Sequence, residues 1–248
     1  MTNGPGRAVP APKHGSFPSY DDVWIVVRCF NEAPVVADVL RELHATFPRV
    51  VAVDDGSSDE SYEAIASTGV DAVRHAVNLG PGAALQTGLL YGLLDRRAEW
   101  FVCFDADGQH RVADAAAMID HARSTGLDVL IGSRFLGEAR NLSSSRRRIL
   151  RAAAMFERLM SGVRLTDGHN GLRVFSRRFA ETVELRLPGM AYASELLEQI
   201  ARSGLSYGEF PVTVEYTPYS VAKGQRSLNS INIAVDVWLN RLLRGGRR

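Results

Sequence analysis

Trp100-Phe101-Val102-Cys103-Phe104-Asp105-Ala106-Asp107-Gly108-Gln109-His110 is the stretch on which the reading of this chain turns. Five apolar residues in a row suit a strand covered on both faces. Two carboxylates then leave that strand together and enter a turn. Their side chains can converge on one hard cation, and a divalent ion held that way can neutralise a diphosphate leaving group. A second apolar run, Val50-Val51-Ala52-Val53, ends in Asp54-Asp55-Gly56-Ser57-Ser58-Asp59. One such Asp often does no more than cap a turn or a helix. Two acidic strand ends in one chain point to a nucleotide-sugar site with its metal.

Working outward, short β-type runs alternate with helical patterns. Val23 to Cys29 reads as the first strand. Pro34 suits a helix N1 position, and Val35, Val36, Val39, Leu40 and Leu43 mark one helical face. Ser57 and Glu60 have capping-box spacing and are expected to open a second helix. A weaker strand over 72–75, a helix over 80–94, the strand over 100–104, a helix over 112–123 and a strand over 129–132 complete a β-α-β-α series. That order predicts an α/β fold with a mostly parallel sheet flanked by helices and right-handed crossovers. Ligands of such sheets sit beyond the carboxyl ends of the strands, the edge that carries Asp54, Asp55, Asp105 and Asp107.

The rhythm changes after Ser133. Residues 134–145 are polar and read as a loop, and 146–160 read as helix. A strand is expected over 171–175, helices over 177–184 and 192–202, and an alternating strand over 210–216. Leu228, Ile231, Val235, Trp238 and Leu242 share the face of an amphipathic helix. The expected organisation is a mobile tail over 1–20, one domain over 21–227, and a C-terminal helix with a basic tail over 228–248. The domain divides into a nucleotide half, 21–133, and an acceptor half, 134–227.

The bulk properties exclude several classes. The chain has 248 residues, 46% of them apolar, and a formal net charge of +1, so no global field attracts nucleic acid. Cys29 and Cys103 both lie in apolar runs and read as core residues. The first turn, Arg28-Cys29-Phe30-Asn31-Glu32, has no G-x-G-x-x-G, and no P-loop is present, which argues against a dinucleotide enzyme or an NTPase. Asn78-Leu79-Gly80-Pro81-Gly82 opens a helix, either as a plain cap or with backbone N–H groups near a phosphate. No apolar run is long enough to span a bilayer, and residues 1–20 do not read as a secretory signal. The cytoplasm is the expected compartment.

Phe30-Asn31-Glu32, the acidic turn at 53–59, Asn78 to Ala84, Asp105 to His110 and Gly132-Ser133-Arg134-Phe135 occur in that order. Together they resemble the family-2 inverting glycosyltransferases, with the metal-dependent nucleotide-sugar fold (GT-A, Rossmann-like). The Gln109-His110 pair and Asp167-Gly168-His169-Asn170-Gly171-Leu172-Arg173 are similar to the dolichyl- and polyprenyl-phosphate sugar synthases. The resemblance spans roughly 22–227. It implies transfer of a hexose from a UDP- or GDP-linked sugar to polyprenyl phosphate. Transfer to a saccharide hydroxyl and a non-catalytic nucleotide-sugar scaffold are the alternatives.

The resemblance also implies roles. Asn31, Glu32, Asp54, Asp55, Asn78, Gly80, Asp105 and Ala106 would line the nucleotide site, with Glu32 and Asp55 on the nucleoside. Asp105, Asp107 and Gln109 would hold Mg²⁺ or Mn²⁺. Asp107, Arg134 and Asp167 would serve catalysis, Arg134 meeting phosphate on the leaving group or the acceptor. Arg134, Arg173, Lys223 and Arg226 would bind the acceptor phosphate, although Lys223-Gly224-Gln225-Arg226-Ser227 also fits a solvated basic turn. His110 is expected to cap the next helix. Asp167 and Glu195 are the base candidates if the acceptor is a hydroxyl. Basic clusters at 146–148 and 241–248 fit either peripheral docking on the cytoplasmic face of a membrane or ordinary helices solvating their charges. Because no spanning segment is read in the sequence, a separate membrane protein is a further expected partner that could supply the anchor.

Overall fold

The computed structural model describes residues 19–142, 147–148, 150–151, 154, 163–220 and 223. Seven strands form one sheet: β1 (Val23–Cys29), β2 (Val50–Asp54), β3 (Asp71–Arg74), β4 (Trp100–Asp105), β5 (Val129–Arg140), β6 (Arg173–Ser176) and β7 (Tyr207–Glu215). Their order is β3-β2-β1-β4-β6-β5-β7. β1 pairs in parallel with β2 and β4, β2 with β3, and β5 with β7. β6 runs antiparallel between β4 and β5. The helices with fully described bounds are α1 (Val36–Thr46), α2 (Ser61–Ala66), α3 (Pro81–Leu93), α4 (Val112–Thr125), α5 (Arg177–Ala180) and α6 (Ala191–Ser203).

Successive side chains of a strand point to opposite faces, so an apolar run needs cover on both. Val23, Ile25, Val27 and Cys29 of β1 pack in one core with Leu40 and Leu43 of α1 and with Met118 and Ile119 of α4. Trp24 and Val26 pack in the other with Leu85 and Leu89 of α3 and with Leu196 and Leu197 of α6. Each fully buried Leu or Ile contributes roughly 1.5–3 kcal/mol. This stripe, with no side-chain cap at Val35, holds α1 in place. Helix α3 approaches the sheet through glycines: a Cβ at Gly88 would stand 2.2 Å from Val26 Cγ1, and one at Gly92 2.8 Å from Phe101 Cε1. That close approach sets Pro81, at the start of α3, over the carboxyl ends of β1 and β4.

Strand β1 has β2 on one side and β4 on the other, so the crossovers diverge there and leave a crevice beyond the strand ends. Register sets the floor of that crevice. Arg28 lies opposite Asp105, and Cys29 opposite Asp54.

Several local expectations are corrected. Ser57 and Glu60 form no capping box: α2 begins at Ser61 with no side-chain cap, and Ser57 Oγ accepts the Asn31 N–H instead. Asp59 supplies the turn contact, accepting the Ser61 N–H at 3.0 Å. The polar stretch after Ser133 is not all loop. β5 continues to Arg140 because Glu138, Ala139 and Arg140 find ladder partners in Thr213, Val214 and Glu215, past a register shift. The helix expected over 177–184 is the short α5, whose N-cap Ser176 side chain accepts the Phe179 N–H. Tyr20, assigned to the tail, packs its ring 4.9 Å from Phe47. Most of the helix expected over 146–160, the helix at 228–244, and Arg226 lie outside the described residues.

Candidate active site

A cleft of about 380 Å³ opens at the crevice between β1 and β4. Asp105, Ala106, Asp107 and Gln109 line one side, Glu32, Asp55 and Asn78 another. His169, Gly171, Tyr192 and Lys223 reach it from the second half of the chain. Strand alternation turns Asp105 into the cleft at the end of β4. The following turn then brings Asp107 round, its Oδ1 accepting the Gln109 N–H at 3.0 Å. β7 fixes this loop from beyond. Glu215 N–H donates to the Gln109 carbonyl at 2.9 Å, and His110 bridges to Val214.

His110 therefore does not cap α4, whose N-cap is Arg111. Its ring is buried, edge-on to Phe104, with Nε2 3.8 Å from Asp105 Oδ2. Gly171 closes on the same oxygen: a Cβ there would stand 1.8 Å from Asp105 Oδ2. Only a residue without a side chain fits, which explains the glycine in Asn170-Gly171-Leu172.

The two acids differ electrically. Burial alone would raise the Asp105 carboxyl, but the ion pair with Arg28, reinforced by His110, outweighs it and holds Asp105 well below the usual carboxylate range. Asp107 forms no such ion pair among the described residues, and the nearby His110 opposes its shift only in part. Burial first, and the Asp105 charge second, push it up to about 6. Hard oxygen donors and one uncompensated negative charge suit a divalent cation that completes its shell with substrate oxygens. Among the described residues no group of three or more His, Cys, Asp or Glu is gathered to hold a metal alone. An ion held here would rest on Asp105 and Asp107, with Gln109 lining the same cleft.

Asp55 is buried and fully engaged. His75 Nδ1 lies 2.7 Å from Oδ1, Leu79 N–H donates to the same oxygen at 3.0 Å, and Gly80 N–H donates to Oδ2 at 2.8 Å. It shapes the Asn78 loop that frames the cleft. Gly56 permits this: its φ is +69°, and a Cβ would stand 2.5 Å from the Val77 carbonyl carbon. Asp54 lies wholly buried below, accepting the Ser57 N–H and paired with Arg74. Asn31, at φ 54°, accepts the Ser58 N–H through Oδ1, lacing the first turn to the acidic one. Glu32 is paired with Lys223 and accepts from Tyr219 Oη at 2.7 Å. Lys223 also donates to the carbonyls of Phe30 at 2.7 Å and Asn31 at 2.9 Å, so it ties the later chain onto the nucleotide half.

Four expected catalytic or acceptor-side residues, Arg134, Asp167, Arg173 and Glu195, do not line the cleft. Arg134 donates through its backbone N–H and Nε to Asp167 Oδ2, at 3.0 and 2.6 Å, and through Nη1 to Tyr216 Oη at 2.5 Å. Asp167 accepts also from Asn170 Nδ2 at 3.1 Å. Arg173 is 1% exposed, donates to the Gly168 carbonyl and stacks 5.8 Å from the Tyr192 ring centre. Glu195 does not line the cleft: its Oε2 accepts the N–H groups of Arg186 and Leu187. Arg28 and Tyr192, unassigned from sequence, both line the cleft. The only sequence signal for Arg28 is a cation in an otherwise apolar strand, Val23 to Cys29.

The sheet, its switch-point crevice and the acidic turn define a sugar-transferring enzyme of the nucleotide-sugar α/β class. Residues 24–183 match Glycosyl transferase family 2, and the chain belongs to that family. It is 31% identical over 227 residues to an uncharacterised protein of Methanocaldococcus jannaschii, covering 90% of this chain and 93% of that one. It is 28% identical to the UDP-N-acetylglucosamine–dolichyl-phosphate N-acetylglucosaminyltransferase of Methanococcus voltae, covering 82% and 89%. It is 27% identical to the undecaprenyl-phosphate mannosyltransferase of Micrococcus luteus, covering 77% and 82%. Among solved structures, it is similar to glucosyl-3-phosphoglycerate synthase from Mycobacterium tuberculosis in complex with Mn²⁺, UDP-glucose and phosphoglyceric acid. That match has a TM-score of 0.61 and 16% identity, covering 82% of this chain and 75% of the other, and it carries the fold. The chain is a glycosyltransferase of GT-A architecture.

Proposed function

We propose that this glycosyltransferase transfers a hexose from a nucleotide diphosphate sugar to polyprenyl phosphate, with inversion at the sugar carbon. The observation that carries the choice of acceptor is the state of the expected bases. A hydroxyl acceptor needs a general base, whereas a lipid phosphate is already an anion. Asp167 is spent on Arg134 and Asn170, and Glu195 on two backbone amides. Two relatives are named for dolichyl- and undecaprenyl-phosphate acceptors, which supports the same reading.

In this reading Asn78, Glu32 and the loop held by Asp55 receive the nucleoside. Asp105, Asp107 and Gln109 hold Mg²⁺ or Mn²⁺, which supplies charge neutralisation for the departing diphosphate. β7 and Gly171 keep the two carboxylates aimed into the cleft. The acceptor approaches from the side of His169 and Tyr192. No helix of the described residues is long and apolar enough to cross a membrane. The lipid-phosphate acceptors named for two relatives support a peripheral position on the cytoplasmic face of a membrane.

The second reading is transfer to a saccharide hydroxyl, favoured by His169, an imidazole lining the cleft. Incubation with extracted polyprenyl phosphate, a panel of UDP- and GDP-sugars and Mn²⁺, followed by mass spectrometry of the lipid fraction, separates the two. A hexosyl monophosphate lipid is expected. Product found only on soluble saccharide, and lost in His169→Ala, would replace the proposal with the second reading.

A further inference from the structure

Arg28 has no role in the reading above, yet it sits where the cation chemistry must happen. Parallel register places it directly across from Asp105, so the contact is built into the β1–β4 ladder. Its guanidinium pairs with Asp105 Oδ1 through one terminal nitrogen and with the Tyr192 hydroxyl through the other, and it lies 5.3 Å from the Tyr192 ring centre. The side chain is 9% exposed and lines the cleft. Its Nε is buried without a partner. The other Asp105 oxygen faces His110, and Gly171 closes on it. One oxygen of this carboxylate is thus paired with Arg28 and the other is enclosed by His110 and Gly171, while among the described residues no ion pair is formed by Asp107.

We propose that Arg28 is an exchangeable counter-ion of Asp105: it holds that carboxylate in the empty cleft, and transfers to the diphosphate of the donor when a divalent cation takes Asp105. The proposal rests on the cleft being the nucleotide-sugar site. A guanidinium suits both partners, since carboxylate and phosphate accept the same two-pronged contact. The exchange keeps the charge balance of the crevice nearly constant. One cation always faces Asp105, and the incoming phosphate charge is met by the Arg that is released. Tyr192 supplies the pivot, with its hydroxyl and its ring face both in contact with the guanidinium. Arg28 is therefore a positioning residue for the metal and a ligand for the diphosphate.

The test uses binding, with no acceptor present. Mn²⁺ binding to the nucleotide-free protein is measured from the free-ion EPR signal for wild type, Arg28→Gln and Arg28→Lys. Separately, UDP and GDP are compared with uridine and guanosine in EDTA by calorimetry. Arg28→Gln should bind Mn²⁺ at least tenfold more tightly than wild type, because its competitor is gone. It should also lose at least tenfold of the metal-free preference for diphosphate over nucleoside. Arg28→Lys, which keeps the charge, should stay near wild type in Mn²⁺ affinity. Circular dichroism verifies the fold of each variant. Mn²⁺ affinity in Arg28→Gln equal to or weaker than wild type would overturn the exchange, as would an unchanged diphosphate preference. Failure of wild type to bind any nucleoside diphosphate would sink the site reading as well. Failure to use polyprenyl phosphate would leave these results untouched.

Discussion

Gly171→Ala places one methyl group against the first carboxylate of the acidic turn. The new Cβ would stand 1.8 Å from Asp105 Oδ2, 2.7 Å from Cγ and 3.2 Å from His110 Nε2. Reaching even about 3.0 Å requires a shift of about 1.2 Å, far up the repulsive wall. Asp105 cannot swing freely, because Arg28 holds its other oxygen and β4 fixes its backbone. The methyl therefore costs about 1–3 kcal/mol in stability, typical of overpacking. For a chain of this size that is a fall of roughly 2–12 °C in Tm. A carboxylate displaced by about 1 Å should also lower turnover about 10²-fold. The assay is a double-mutant cycle on Tm, with donor turnover measured in parallel. In an Asp105→Ala background the clash is gone, so Gly171→Ala should then cost less than about 1 kcal/mol. An equal cost in both backgrounds, or wild-type turnover in the single variant, would refute the packing argument.

Asp107→Asn should lower sugar transfer at least about 10²-fold while Tm stays within a few degrees, because the charge it removes faces the cleft and not the core; donor turnover across a Mn²⁺ titration checks it. Arg134→Ala should unfold the protein more easily by about 3–5 kcal/mol, since it strands Asp167 in a buried pair, and thermal melts decide this. Full stability with lost turnover would instead assign that guanidinium to substrate. Burial pushes both Cys29 and Cys103 up to about 12, with nearby carboxylates adding to Cys29 and nearby arginines opposing the shift at Cys103. A thiol whose folded pKa is raised stabilises the fold below its unfolded value, near 8.5, and loses that contribution as pH climbs toward 12. Cys103→Ala should therefore flatten the fall in Tm between about pH 8.5 and 11, and native thiols should react with Ellman's reagent only as fast as the protein opens.

Periodicity carries the first half of the chain well, because strands β1, β2 and β4 are covered on both faces and read as unbroken apolar runs. It fails where a partner far along the chain supplies the hydrogen bonds. Residues 138–140 continue β5 only because β7, more than seventy positions later, lies alongside. The capping box at Ser57 fails for a similar reason: the first turn claims that hydroxyl before the helix can.

The site divides along the same line. Sequence alone determined which carboxylates stand at strand ends, since chemistry-bearing residues that interrupt apolar runs are legible one strand at a time. It could not tell that Arg134 and Asp167 would satisfy each other, that His110 would turn back under Asp105, or that Arg28 would be set opposite Asp105. Those pairings depend on sheet order and register, which bring residues from separate strands within a few ångströms. Only the folded chain decides which charges meet.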